Sequence, residues 1–274
     1  MAFTNSSLVN YTRISPNRGN VVNGKRVYGR DHAIDTVSIH CVVGQCTVEA
    51  LGSIFASASK QASSNYGIGY DGRIGMYVEE KDRSWCTSSR ANDNRAVTIE
   101  VASDTKHPYR VNDAAYKSLI KLLADICRRN GIKKLVWSTD KNDRINHRNG
   151  CNMTVHRDFA NKACPGDYLY NLHGQIATEV NKILSQEDDD NMKRYQTLAD
   201  VPAGDYRDAV QKGMDAGVIR GDSRGNINLS EDMIRCLIFF DRMLENAKDE
   251  YPKVDEAAIV QKVKDTLKFN ITVE

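Results

Sequence analysis

A histidine and a cysteine stand eight residues apart in the segment Asn152 to Gly166, NMTVHRDFANKACPG. His156 and Cys164 offer an imidazole nitrogen and a thiolate sulfur, the two ligand types that zinc prefers. The Pro-Gly pair after Cys164 stops any preceding helix and requires a turn, so the segment must fold back to bring the two side chains together. A catalytic zinc site has three protein ligands and one position for water, so a third ligand must come from elsewhere in the chain.

The third ligand is expected to be His40. This residue lies within Thr36 to Val43, a β-branched run bounded by Asp35 and Gly44. Such a run predicts a buried strand. A strand holds its side chains rigidly, which suits a metal ligand.

Four segments, in chain order, resemble the zinc-dependent N-acetylmuramoyl-L-alanine amidases of type 2: TVSIHCVVG, SSNYGIGYDGRI, AVTIEVAS and TVHRDFANKACPGDYL. These enzymes are phage endolysins and bacterial autolysins related to peptidoglycan recognition proteins. The resemblance covers roughly the first two-thirds of the chain. It implies that Zn²⁺ activates water to hydrolyse the amide bond between N-acetylmuramic acid and L-alanine of the stem peptide. The spacing of the residues by itself indicates only metal-assisted amide hydrolysis.

The resemblance also implies a role for Glu100. This carboxylate lies within the predicted strand Ala96 to Val101, where it is costly unless it is paired or functional. In many relatives the matching glutamate lies beside the zinc water, which implies that Glu100 is the general acid–base group. The alternative is an edge strand whose Glu100 faces solvent.

Two further site residues are implied. Lys162 stands two residues before Cys164, and its cation would stabilise the oxyanion that forms during hydrolysis. Tyr66 matches a tyrosine that relatives place near the zinc, where it would contact substrate or the transition state. The alternatives are a solvated lysine and a tyrosine that only packs within its strand. Cys86 departs from the family, in which an aromatic residue is often followed by a histidine that lines the cleft.

Three other functions stay open. A peptidoglycan receptor without catalysis is one, although relatives that only bind commonly lack the cysteine ligand. A cysteine hydrolase that pairs Cys164 with a histidine is the second. The third is a structural zinc site, which needs a fourth ligand such as Cys41 or Cys151. His147 lies in a polar loop, where a histidine is usually solvated.

Composition limits the setting of the protein. The chain of 274 residues has 41% hydrophobic and 27% charged residues, as expected for a globular protein. No apolar run approaches the ~20 residues of a membrane span. The N-terminal segment lacks the pattern of a signal peptide, so we expect synthesis in the cytoplasm and action on the bacterial cell wall after another route of exit. Seven cysteines do not indicate a disulfide framework.

Charge is divided unevenly along the chain. Residues 1–184 contain 25 Lys and Arg against 17 Asp and Glu, a net charge of +8, whereas residues 185–274 contain 13 against 19, a net charge of −6. A basic catalytic part favours approach to an anionic polymer such as a bacterial wall. No stacking platform or recognition helix accompanies the charge, so nucleic acid is not an expected partner.

The order of the predicted elements indicates an α/β domain with a central mixed sheet flanked by helices. A hairpin is expected around Asp71-Gly72, and helices are expected from Val48, from Asp113 and from Tyr168 to Leu184. His173, in the last of these helices, is expected at the surface. We predict a zinc amidase domain at 1–184, an acidic linker at 185–194 and a small helical module at 195–274.

The module at 195–274 resembles one unit of an S-layer-homology module. The matching features are Asp200-Val201, a helix, Gly217 to Gly221 (GVIRG) and a second helix. A single helical pair buries little apolar surface, so docking or homodimerisation would have to stabilise it. A cell-wall-binding or oligomerisation role is expected. A last amphipathic helix is predicted from Val254, Ala257, Ala258, Val263 and Leu267.

Overall fold

The computed structural model describes residues 3–191, 193–250 and 257–261. These residues form two compact units that divide between Glu187 and Asp188. Each unit is described by itself.

The strands of the first unit are β1 (Tyr11–Thr12), β2 (Asn20–Val22), β3 (Lys25–Val27), β4 (Thr36–Val43), β5 (Tyr66–Ile68), β6 (Ile74–Met76), β7 (Ala96–Ser103) and β8 (Met153–Thr154). Six of them form one sheet with the order β1-β6-β5-β7-β4-β8, and β2 and β3 form a separate hairpin. Strand β4 pairs in parallel with β7 and β8, and β7 pairs in parallel with β5. Strands β5 and β6 are antiparallel across the predicted Asp71-Gly72 turn. The predicted mixed sheet is confirmed.

Helices cover both faces of this sheet. They are α1 (Val48–Phe55), α2 (Arg90–Arg95), α3 (Asp113–Arg129), α4 (Lys141–Ile145) and α5 (Gly166–Asn191). Buried residues of α3 and α5, such as Leu119 and Ile176, pack in one core with Ile39 and Ile99 of the sheet. On the other face, a Cβ atom at Gly67 would lie 2.7 Å from the Tyr77 ring and 2.9 Å from Leu51 of α1, so the small residue allows both side chains to pack against this strand.

The segment predicted as a linker, 185–194, is helical as far as Asn191, and the two compact units divide within it. The expectation that His173 lies at the surface is wrong. His173 is fully buried, and its Nδ1 lies 2.7 Å from the Leu169 carbonyl oxygen. Its spacing from Leu169, Ile176 and Val180 is that of one helix face, which is the face that enters the core.

The second unit is small and helical, as predicted. Strand β9 (Arg194–Tyr195) pairs with β10 (Leu229–Ser230), and these accompany α6 (Asp205–Asp215) and α7 (Glu231–Glu250). The apolar core of this unit is formed by Tyr195, Val201, Val210, Ile227, Leu229 and Ile234. Residues 257–261 are helical, whereas Val254, Val263 and Leu267 of the predicted last helix lie outside the described residues. Within the described ranges, no helix has both the length and the apolar character needed to cross a membrane.

Candidate metal centre and active site

His40 is held in the interior of the sheet. It lies in β4, between the neighbouring strands β7 and β8, and its side chain is fully buried. Its Nε2 lies 3.2 Å from the Ser38 hydroxyl oxygen, which itself donates to the Thr154 carbonyl oxygen. Burial, with the charges of His156 and His173 as smaller causes, holds the pKa of His40 well below its usual value. The imidazole is therefore neutral, the form that binds a metal ion.

The loop that follows β8 brings His156 to His40. His156 begins a 3-10 turn, His156–Asp158, and its ring centroid lies 5.2 Å from that of His40. Asp158 fixes the turn, because its carboxylate accepts a hydrogen bond from the Val155 N–H at 3.1 Å and pairs with the buried guanidinium of Arg144 at 2.5 Å. Burial first, and then the charge of Lys162, lowers the pKa of His156.

Cys164 completes a group of three donors. Its Sγ lies 3.3 Å from His40 Nδ1, and the loop turns into α5 at Gly166. One ligand atom each from His40, His156 and Cys164 lies within 4.8 Å of the other two. A hydrogen bond with Cys41, and then burial, raises the pKa of the Cys164 thiol well above its usual value. Two neutral imidazole nitrogens and one cysteine sulfur, which would bind as the thiolate, are a donor set that fits zinc.

Glu100 lies beside His40, on the next strand. The two residues are register partners in the parallel β4–β7 pair, so both side chains leave the same face of the sheet. Strand β7 is an interior strand, so the alternative of Glu100 on an edge strand is wrong. Burial raises the pKa of Glu100 to about 7, although a hydrogen bond from Cys86 opposes the shift. The buried Oε2 has no hydrogen-bond partner in the described part of the chain.

Lys162 is at the exposed side of this group. Its side chain is solvent-exposed, and its charge is close enough to His156 to contribute to the lowered pKa of that imidazole. The contact of Lys162 with the oxyanion of the substrate stays a prediction.

Tyr66 does not join the group, contrary to expectation. It is the register partner of Ile99, whereas Gly67 is the partner of Glu100, so the Tyr66 side chain leaves the opposite face of the sheet. It is fully buried there, and its hydroxyl donates to Glu80 Oε1 at 2.7 Å. Tyr66 is adjacent in sequence to a position beside the site. Because successive side chains of a strand point to opposite faces, its ring points away from the site.

The other histidine and cysteine candidates also lie outside the group. His147 is half-buried, and its Nδ1 lies 3.1 Å from the Cys151 carbonyl oxygen. Neither His147, Cys151 nor Cys41 belongs to a set of three metal donors among the described residues. A second such set consists of His40, Cys86 and Glu100. From the sequence, Cys86 was noted only as a departure from the family pattern. Its position directly after Trp85, where the family often has a histidine, was the signal that could have placed it near the site.

The family of the chain is decided by a match to the model described as N-acetylmuramoyl-L-alanine amidase, which spans residues 30–167 and thus half of the chain. The chain belongs to this amidase family. The matched range contains all three donors, together with Glu100 and Lys162. The protein is accordingly a hydrolase that acts on peptidoglycan as an N-acetylmuramoyl-L-alanine amidase.

Solved structures with some similarity to this amidase were also found. A mutant endolysin from Bacillus subtilis is 12% identical, with a TM-score of 0.44, and the match covers 63% of this chain and 99% of that one. The N-acetylmuramoyl-L-alanine amidase LysC from Clostridium intestinale is 15% identical, with a TM-score of 0.40, and the match covers 57% and 94%. The Drosophila peptidoglycan recognition protein PGRP-SA is 18% identical, with a TM-score of 0.40 and coverage of 52% and 79%. No curated protein matches the chain.

Proposed function

We propose that the amidase is zinc-dependent and cleaves the bond between N-acetylmuramic acid and L-alanine of the stem peptide. The observation that supports this most directly is the grouping of His40, His156 and Cys164, whose donor atoms lie within 4.8 Å of one another. A zinc ion held by these residues would act as a Lewis acid toward the scissile carbonyl and the attacking water.

Glu100 is the proposed general base. Its buried Oε2 has no partner among the described residues, so this oxygen is free to accept a proton from the attacking water and then to pass it to the leaving amine. An acid–base group is most effective when its pKa lies near the working pH, and burial raises the pKa of Glu100 to about 7. Lys162 is proposed to stabilise the negative charge that forms on the carbonyl oxygen.

The setting is proposed to be the bacterial cell wall, with the protein acting as a phage endolysin or a bacterial autolysin after synthesis in the cytoplasm. The positive net charge of residues 1–184 supports attraction to an anionic wall. The second compact unit, from Asp188 onward, is proposed to bind the wall or to form homodimers.

Digestion of purified peptidoglycan tests this function. The protein would be stripped of metal, reloaded with zinc and incubated with and without a chelator, and the products would be analysed by mass spectrometry. We expect stem peptides with a free N-terminal L-alanine only in the zinc-loaded sample. Activity that survives the chelator but is lost on thiol alkylation would instead indicate a cysteine hydrolase. Binding without any released peptide would indicate a receptor.

A further inference from the structure

The thiol of Cys86 lies against the carboxylate of Glu100. Its Sγ donates to Glu100 Oε1 at 3.9 Å, a distance within the range of a sulfur hydrogen bond. The other carboxylate oxygen, Oε2, is buried and has no partner in the part of the chain that the structure describes. One oxygen is therefore occupied by a protein donor, and the other is free to meet a substrate or a water molecule.

The backbone around Cys86 is fixed by a buried carboxylate. Asp93 is 2% exposed, and its Oδ2 accepts a hydrogen bond from the Cys86 N–H at 3.1 Å. Its Oδ1 accepts from the Thr87 N–H at 3.1 Å and from the Thr87 hydroxyl at 2.7 Å. These three bonds hold the loop that contains Cys86 to the start of α2, so the thiol has a defined position.

The same loop lies over the metal donors. The Ser88 hydroxyl oxygen lies 3.1 Å from His156 Nε2, and the donor atoms of His40, Cys86 and Glu100 lie within 4.8 Å of one another. An ordinary thiol has a pKa of about 8.5 and keeps its proton at neutral pH, so the sulfur of Cys86 can donate it. A carboxylate can turn about its last side-chain bond, and a donor at one oxygen favours one orientation of that rotation.

We propose that Cys86 is a positioning residue for Glu100, holding Oε1 so that Oε2 points to the attacking water. The inference rests on the proposed role of Glu100 as general base. It also gives a role to the cysteine that stands where the family often has a histidine: the thiol supplies a donor at that place. Cys86 acts through Glu100 and neither binds the metal ion nor reacts with substrate.

The test compares the metal-loaded full chain with Cys86→Ala, which removes the donor, and Cys86→Ser, which retains one. The thiol is a weak donor, so we expect Cys86→Ala to lower kcat about 10-fold. KM and the zinc content should not change. In Cys86→Ser, kcat should return most of the way to the value of the unmodified chain. Cys236→Ser is the matched control, because this cysteine is exposed and lies in the second unit. Equal kcat values for Cys86→Ala and the unmodified chain would overturn the proposal, and so would loss of zinc from both Cys86 variants, which would make Cys86 a ligand.

Infrared spectroscopy provides a readout apart from activity. The S–H stretch of Cys86, isolated as the difference between the unmodified chain and Cys86→Ser, should lie at lower frequency than in a Glu100→Ala background. An unchanged frequency would contradict the hydrogen bond. Adding Cys86→Ala to Glu100→Gln should cause little further loss of kcat. Full activity of Glu100→Gln itself would refute the proposed general base, whereas an inactive Glu100→Gln with a fully active Cys86→Ala would refute only the positioning role.

Discussion

His40 and Glu100 are register partners on adjacent parallel strands, so a candidate metal ligand and a candidate general base leave the same face of the sheet side by side. Both belong to interior strands of one sheet, which restricts the motion of either side chain. The loop from β8 to α5 then needs to bring only His156 and Cys164 to a place that the two strands already define. Two residues of the site therefore lie on rigid strands, whereas the positions of His156 and Cys164 depend on the packing of a loop.

Removal of the sulfur donor should abolish metal binding. We expect Cys164→Ala to lose bound zinc, and to lose more than about 100-fold in kcat/KM, because even residues outside the ligand set commonly cost 10–100-fold. Zinc content by atomic absorption, measured beside peptide release, checks both effects. Cys236→Ser, which changes an exposed cysteine, is the control. Full zinc occupancy in Cys164→Ala would exclude this residue as a ligand.

Glu100→Gln should separate chemistry from metal binding. The amide cannot accept a proton from water, so we expect kcat to fall by about 10²- to 10⁴-fold. The zinc content should remain that of the unmodified chain, since Glu100 is not among the three proposed ligands. Near-normal turnover in this variant would show that another group is the base.

Tyr66→Phe should affect stability and leave catalysis unchanged. The hydroxyl donates to Glu80, which is fully buried, and accepts from the Ser6 N–H at 2.9 Å. Loss of these bonds should lower the free energy of unfolding by about 1–3 kcal/mol. Urea denaturation measures this change, and kcat of the folded variant should equal that of the unmodified chain. A large fall in kcat without a change in stability would show that Tyr66 acts in catalysis.

His173 should make stability depend on pH. Burial, with Arg144 as a minor cause, lowers its pKa from 6.5 to about 4, and its Nε2 is buried without a partner among the described residues. Protonation therefore favours the unfolded chain. The contribution of the neutral ring is fully present above pH 6.5 and is lost as pH falls toward 4, at a cost of about 3 kcal/mol. Urea denaturation at pH 7.5 and 4.5 should show a smaller decrease for His173→Gln than for the unmodified chain. Equal decreases in the two proteins would contradict a buried, neutral His173.

Deletion of residues 195–274 tests the role of the second unit. Loss of a second attachment point should weaken binding to insoluble walls by about 100-fold or more. Cleavage of a small soluble fragment should remain, because the donors, Glu100 and Lys162 all precede the deleted segment. Co-sedimentation with walls and assay of the soluble fragment separate these effects. Unchanged sedimentation would exclude a wall-binding role, and analytical ultracentrifugation would then test dimerisation.

The sequence by itself determined the main elements and the candidate donors. The β-branched run around His40, the Asp-Gly turn after β5 and the capped helix from Asp113 all form as predicted, because each depends on local hydrophobic periodicity and turn chemistry. The types and spacing of His156 and Cys164, together with the family resemblance, were sufficient to propose a zinc site.

Only the tertiary structure decided which side chains meet. Strand register places Glu100 with His40 and turns Tyr66 to the other face, since adjacent residues of a strand point to opposite sides. Packing of α5 buries His173, and the loop fixed by Asp93 delivers Cys86 to Glu100. These relationships join residues far apart in the chain, so they depend on how strands pair and helices pack and not on local sequence.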